Sequence, residues 1–597
     1  MKRIVSLTLV LAMVLSLCAC NVNIDPDDLE ALAKATLADK GQNAPSNEEP
    51  HEITSASFPI YFGEEETGID LTLYFLDGAT DLPYIESKDL QFLINEALFE
   101  AEESGVNTSM ETDGSTITYT RHNKDEKAYD NNIPVTFDFD ANTIEFMDFD
   151  LFLKKPGSST LLDMTAMNVF NEDGEPAVFE KVDRGSFDRY GDALVLPLSD
   201  YGIDLIEQDG LYLVPFQTIC DFFISAGFGT SALFNGKKII LAGKLAECED
   251  SYYEGETGKR SDALIKYGYG ELCLMLDYLY GLKEPHEIEH FANLFHEVGF
   301  EGMLQSPDPE KADKAVYRMI TDYLDDGHSQ FQGFSYLAGK VDYKAPVGAS
   351  EYRWSDHHNI YLEARKEAYP DGIPGYEEVG NTAYITFDQF YMDSTNGEEY
   401  YKKDIEDFSD ENTIELIMKA HSMITREDSP IENVVIDLSC NLGGVADTAV
   451  FVLAWYLGEA SIGMKNTMTG AMCSSTYKAD VNRDRKFDEK DGLGDRKLFC
   501  LTSPVSFSCG NLVPCIFKES NKVTLLGRTS GGGSCVVQPV SSAWGTSFQI
   551  SGSSRLSFVM NGAFYDIDRG AEPDYAITTP AEYYNREALT EFINGLY

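Results

Sequence analysis

The sequence predicts an α/β core in its C-terminal part, preceded by a helical segment and, before that, by a β-rich N-terminal module. Three observations carry this prediction. Apolar and polar residues alternate through much of 51–250, the apolar spacing turns helical between Ser261 and Asp326, and strand and helix patterns alternate beyond residue 377. A chain of 597 residues has room for more than one folded unit.

Taken in order, the β-rich module shows its period of two at Val135, Phe137 and Phe139, and again at Ile144 and Phe146 after a turn at Ala141-Asn142. Leu211–Val214 reads as a strand, Pro215 suits the first turn of a helix that stops near Gly227, and Asn235-Gly236 marks a hairpin. Val316, Met319, Ile320, Tyr323 and Leu324 form one helical stripe, with Gly327 ending that helix. Strands at Ala383–Phe387, Val434–Leu438, Lys497–Thr502 and Val523–Leu526 then alternate with helices at Thr413–Ile424, Val450–Leu457 and from about Gly510. Functional sites in such a core lie where strands end.

The 100 acidic and 46 basic side chains leave a net charge of −54, which argues against binding nucleic acid by neutralising its phosphates. At the N-terminus, Lys2 and Arg3 precede a largely apolar run, Ile4–Ala19, that reads as an export signal over residues 1–19. Leu17-Cys18-Ala19-Cys20 resembles a bacterial lipobox. That resemblance implies cleavage before Cys20, lipidation of Cys20, a linker over 20–50, and an extracellular protein held to the cell membrane only through that lipid. The other nine cysteines include no C-x-x-C pair, and several sit in apolar runs, so buried thiols are expected rather than a disulfide framework.

Two turns could carry chemistry. In Asp437-Leu438-Ser439-Cys440-Asn441-Leu442-Gly443-Gly444, two glycines follow a buried strand and precede a helix, where backbone amides can face a cleft. In Ser503–Asn511, Ser508 falls at a strand-to-helix turn, the position of an exposed nucleophile whose neighbouring amide can bind an oxyanion.

These motifs resemble the tail-specific, or C-terminal processing, serine protease family over roughly 377–580. Asp437-Leu438-x-x-Asn441-x-Gly443-Gly444, Ser506-x-Ser508 and Asp568-x-Gly570-x-x-Pro573-Asp574 match its motifs in order. The resemblance implies a core of crotonase/Clp-protease type, Ser508 as nucleophile, and an oxyanion hole from the amide of Cys509 with that of Gly443 or Gly444. The lysine base of the bacterial branch is absent, because its Gly-Lys-Gly segment reads Gly531-Gly532-Gly533 here. Asp326-Gly327-His328-Ser329 instead resembles the histidine turn of the tricorn-like branch, which makes His328 the implied base. The preceding helix C-terminus is expected to favour its imidazolium. Asp568 is the implied orienter of His328, with Asp326 and Asp566 as alternatives, and Ser329 stands in for a serine that the tricorn protease has before its histidine. The arginine that follows Asp-Leu in the family is replaced by Ser439.

Two rival sites appear. His286-Glu287-Ile288-Glu289-His290, with His296 six residues on, has the spacing of a zinc metallopeptidase, although Glu289 and Asn293 depart from the pattern and a core stripe of Ile288, Phe291, Phe295 and Val298 accounts for the same residues. Residues 480–491 have calcium-loop spacing, with Asp480, Asn482, Asp484, Lys486, Asp488 and Asp491 at the ligand positions and Arg485 where glycine makes the sharp turn.

The expected organisation is therefore a signal at 1–19, a lipid-anchored linker at 20–50, a β-rich module at 51–250, a helical domain carrying the base at 251–330, a connector at 331–376 and the serine-protease core at 377–597. The expected activity is hydrolysis of peptide or protein substrates through an acyl-enzyme, with no cofactor required and calcium the one candidate ion. A zinc metallopeptidase and a non-catalytic envelope binding protein are the competing readings.

Overall fold

The computed structural model describes residues 50–123, 132–154, 178–182, 186–343 and 349–597. The export signal, Cys20 and nearly all of the linker lie outside the described residues. Residues from Glu52 to Tyr597 form one compact unit. Among the described residues no helix is long and apolar enough to cross a membrane.

Two sheets form the N-terminal part. One has seven strands, with Ile53–Phe62 and Glu65–Leu76 near its centre. The other is an antiparallel sheet of five, in which Ile133, Val135 and Phe137 are buried while their alternating neighbours are half-exposed, as a strand with one covered face requires. The hairpin turn places Asn142 at φ 51°. The helical stretch after Pro215 runs to Phe228 and stops at Gly229, whose φ of 66° suits a residue without Cβ. The turn after Ser231–Phe234 is closed by Asn235, whose Oδ1 accepts the N–H groups of Lys237 and Lys238 at 3.0 Å each. One apolar cluster runs from these sheets through the helix Asp262–Leu279 into the strands Cys535–Ser541 and Ser547–Ser557, so modules read separately in the sequence share an interior.

The helix Pro309–Arg318 continues into a wider i→i+5 turn, Met319–Leu324. That turn carries Tyr323 outward to 38% exposure while Val316, Met319, Ile320 and Leu324 stay buried, which corrects the expected stripe. Another helix, Ala349–Ala368, occupies much of the expected connector.

The C-terminal sheet has the strand order Tyr376–Val379, Thr382–Thr386, Asn433–Asp437, Lys497–Thr502, Val523–Gly527 and Tyr575–Ala576, parallel except for the first pair. Its central strands are wholly buried, the reason their sequence is a continuous apolar run rather than an alternation. Asp437 lies opposite Leu501, so turns 438–444 and 503–508 leave the sheet side by side. A further sheet pairs Gln330–Gly333 with Ser547–Ser557 and so brings the segment after His328 to the core. The nine described cysteines are all free and buried.

Asp221 and Glu271 are each 1% exposed and face one another in the interior, where burial and mutual repulsion favour keeping a proton on the pair. Thr218 Oγ1 donates to Glu271 (2.7 Å) and Gln217 Nε2 to Asp221 (3.1 Å), and burial raises both carboxyls above their usual range. The stability this pair contributes is complete below the ordinary carboxylate range and is lost as pH rises through the raised values. Asp221→Asn should therefore lessen the fall in melting temperature toward alkaline pH. Parallel wild-type and variant melting curves across pH would contradict this.

Candidate active site

Ser508 caps the buried helix Cys509–Ser520 with φ 54° and ψ −124°, a sparsely populated backbone state of the kind that costs about 1–3 kcal/mol and persists only where its surroundings enforce it. The enforcement is visible. Ser508 N–H donates to Gly532 O (2.9 Å), Leu512 N–H to Ser508 O (2.8 Å) and Phe507 N–H to Asn441 O (3.0 Å). The hydroxyls of Ser503 and Ser506 bond Ser439 O (2.6 Å) and Leu438 O (2.7 Å), stitching the two turns together. Ser508 itself is half-buried.

Gly443 sits directly against the serine. With φ 102°, a Cβ there would lie 2.6 Å from Ser508 Cβ and 3.1 Å from Cys509 N. Its own N–H is held by Asn441 Oδ1 (2.9 Å), while Asn441 Nδ2 reaches Phe387 O (3.0 Å). Of the three amides expected for an oxyanion hole, Gly443 is thus committed elsewhere. Those of Cys509 and Gly444 have no acceptor among the described residues. Cys509 Sγ bonds Gly444 O (3.3 Å), tying the two turns at this point.

His328 lies in a turn fixed by one carboxylate. Asp326 accepts His328 N–H (3.0 Å), Ser329 N–H (2.7 Å), Ser329 Oγ (2.8 Å) and Tyr280 OH (2.8 Å), and Gln549 Nε2 holds His328 O (2.7 Å). Ser329 therefore braces the turn, accepting Ser551 N–H (3.1 Å) as well, and makes no hydrogen bond to the imidazole. Burial lowers the His328 pKa, with Asp326 and then Asp568 acting the other way. Desolvation thus outweighs the expected support from the helix end.

The imidazole packs on the ring of Phe507, centroid to centroid 4.7 Å, and its Nδ1 is buried without a hydrogen-bond partner. Neither the ring nor the Ser508 hydroxyl makes a hydrogen bond among the described residues. Asp568 faces the same cleft but accepts from Gly533 N–H (3.1 Å), Ser534 N–H (2.7 Å), Ser534 Oγ (2.8 Å) and the Arg555 guanidinium, so in this structure it secures the glycine loop rather than the histidine. Asp566 pairs with Arg555 (2.7 Å).

Other contributors escaped the sequence reading. Helix Ala349–Ala368 brings His357 and His358 to the cleft, a placement no local motif announces. The missing arginine after Asp-Leu has a substitute in Arg586, fully buried, whose Nη2 lies 2.6 Å from Asp437 Oδ2. A carboxylate in an apolar strand is the signal that some cation must reach it.

The zinc reading is corrected by the backbone. Residues 281–287 form turns, Glu287 takes φ 57°, and the helix begins only at Phe291, so His286 and His290 do not share a helical face. His286 bonds Tyr280 OH (3.1 Å), His290 pairs with Asp277 (3.2 Å) and His296 with Glu301 (3.0 Å). In the 480–491 loop the carboxylates face backbone amides. Asp480 accepts Asp484 and Arg485 N–H (3.1 and 2.7 Å), Asp491 accepts Val481 and Asp488 N–H (2.8 and 3.0 Å), and Asn482, Asp484 and Asp488 close further turns. Arg485 adopts φ 60° where glycine was expected, and Lys486 lies 3.7 Å from Asp484. Among the described residues no group of three or more His, Cys, Asp or Glu side chains converges as a metal site.

The paired turns on a buried parallel sheet form the candidate site. The Peptidase family S41 profile matches residues 381–577, and that segment is an S41 domain, a serine-type peptidase domain. No curated protein matches the chain. Among solved structures, a putative peptidase from Parabacteroides merdae is 16% identical over 54% of this chain and 93% of its own, with a TM-score of 0.37. The photosystem II D1 C-terminal processing protease is 17% identical, covering 33% of this chain and 42% of that one, with a TM-score of 0.24. The tricorn protease is 13% identical, covering 82% of this chain and 46% of that one, with a TM-score of 0.23. The chain thus spans less than half the length of the last two.

Because a side chain at Gly443 would strike Ser508 and crowd the Cys509 amide, Gly443→Ala should cut reaction of Ser508 with a fluorophosphonate by roughly 10²-fold, the scale of displacing the Cys509 amide as an oxyanion donor. Unchanged labelling of a folded variant would show that the glycine is not needed there.

Proposed function

We propose that this protein is a serine peptidase of the histidine-based, tricorn-like kind, with Ser508 as nucleophile, His328 as general base, and the amides of Cys509 and Gly444 receiving the oxyanion. The observation that supports it best is the strained Ser508 at the head of a buried helix, pressed on Gly443, in a core next to which a separately fixed turn presents a desolvated histidine. In this scheme the imidazole takes the Ser508 proton as Oγ attacks a peptide carbonyl, the two amides hold the oxygen that becomes negative, and the imidazolium returns the proton to the leaving amine. Water then repeats the cycle on the acyl-enzyme. The reading uses no cofactor and includes a core of crotonase/Clp type at 377–597 behind the β-rich and helical parts. It also places the protein outside the cell, anchored by lipid on Cys20 and acting on peptides or proteins.

Three outcomes are expected. Ser508→Ala should lower peptide hydrolysis by at least about 10⁴-fold and remove fluorophosphonate labelling, with His328→Ala close behind and the double variant little worse than Ser508→Ala. Hydrolysis by the folded Ser508→Ala variant at the wild-type rate would end the proposal. Because burial lowers the His328 pKa, the base is unprotonated at neutral pH, and kcat/KM should hold into mildly acidic buffer where an ordinary histidine would already be charged. A pH–rate profile falling at or above the ordinary histidine range would contradict this assignment. Treatment with a strong chelator should leave turnover intact, whereas activity lost and restored by zinc would favour the metallopeptidase.

A further inference from the structure

Phe507 touches both halves of the proposed machinery: it precedes Ser508 in the chain and its ring packs against His328. An aromatic ring directly before Ser508 requires space. Gly533 supplies that space. A Cβ on Gly533 would stand 2.6 to 3.0 Å from three atoms of the Phe507 ring, so any larger residue would push the ring away. Phe507 is 7% exposed, and together with His328 it forms the wall between two cavities. One, of about 340 Å³, contains Gly531, Gly533 and Asp568, and the other, of about 650 Å³, is lined by Tyr317, Ile320, Phe331 and Leu442. Leu442 adjoins Gly443, and hence Ser508.

We propose that Phe507 is a positioning residue that acts as a substrate-displaced latch. In the state described here its ring occupies the face of the imidazole, and the Ser508 hydroxyl and the imidazole are not hydrogen-bonded to each other. The larger cavity borders the ring and combines the apolar side chains of Ile320, Phe331 and Leu442 with polar groups that include Asp325, Gln330 and His358. A peptide entering beside Leu442 competes for the same surface, moves the ring off His328 and frees the imidazole to reach Ser508 Oγ. The site is thereby kept at rest until a substrate fills it, which suits an exported peptidase that must not react indiscriminately. This inference rests on the assignment of Ser508 and His328.

The test is fluorophosphonate labelling of the full chain, with Ser508→Ala as the blank, with and without a peptide that the enzyme binds but does not cleave. Wild type should label slowly alone and faster with the peptide. Phe507→Ala should label roughly threefold to tenfold faster than wild type without peptide, the scale of one lost ring contact, and should gain nothing from the peptide. Since removing a buried ring can unfold a protein, Phe507→Leu, which keeps apolar bulk but not the aromatic face, is measured alongside and should show the same loss of peptide dependence. Labelling of wild type at Ser508 that neither Phe507 variant accelerates, or that stays peptide-dependent in a folded variant, overturns the latch while leaving the serine assignment standing. No labelling of folded wild type at Ser508 under any condition overturns the serine assignment itself.

Discussion

The site depends on one close approach: Gly443 packs so tightly on Ser508 that no side chain fits between them. That contact exists because two neighbouring parallel strands end in register, Asp437 opposite Leu501, and release their turns on the same side of the sheet. The parallel sheet therefore positions the turns, and the turns position the amides. Asn441 fixes the distance, holding Gly443 with its carbonyl oxygen and Phe387 with its amide nitrogen, and its backbone oxygen meets Phe507. The same close packing recurs at Gly510, where a Cβ would fall 2.5 Å from Asn441 O.

Buried charge organises what packing alone cannot. Asp437, at the end of a wholly buried strand, would be costly without a counter-ion, and Arg586 from the C-terminal helix Arg586–Asn594 meets it in a pair that both residues bury completely. Arg586 also bonds Thr386 Oγ1 (3.1 Å), so one guanidinium joins two core strands to the last helix. Asp326 does comparable work for the histidine turn, gathering four donors on one carboxylate. In each case a negative group with several donors fixes backbone that carries function.

Much of the core was legible in the sequence because local patterns and tertiary demands coincide there. The strands Asn433–Asp437 and Lys497–Thr502 have apolar centres because both faces are covered, and Gly443-Gly444 marks the turn that follows the first of them. Legibility fails where a contact joins distant segments. Nothing near Asp437 in the sequence points to Arg586, and nothing near His328 points to Phe507. The His286–His290 spacing was misleading for the opposite reason: the pattern is helical, but a left-handed Glu287 and a helix that starts at Phe291 place the two imidazoles on separate partners. Helix Ala349–Ala368 was missed because its apolar residues do not form a sustained stripe, Ile360 being 49% exposed while Tyr361 is buried.

The glycine loop 531–533 follows from the same reasoning. This chain has only backbone here, and three of its groups are engaged: Gly532 O receives Ser508 N–H, Gly531 N–H bonds Ser506 O, and Gly533 N–H bonds Asp568. Gly532 and Gly533 have φ of 85° and 93°, a region side chains rarely enter, so a lysine restored at 532 would strain the loop, and its Cβ would meet Asp568 O at 2.5 Å. The loop holds Ser508 through main-chain contacts, and the space that a side chain at 533 would need is taken by the Phe507 ring. With no side chain at 532, a titratable group here has to come from outside the loop, and His328, in a turn that Asp326 holds, is the imidazole that the fold brings against the Phe507 ring.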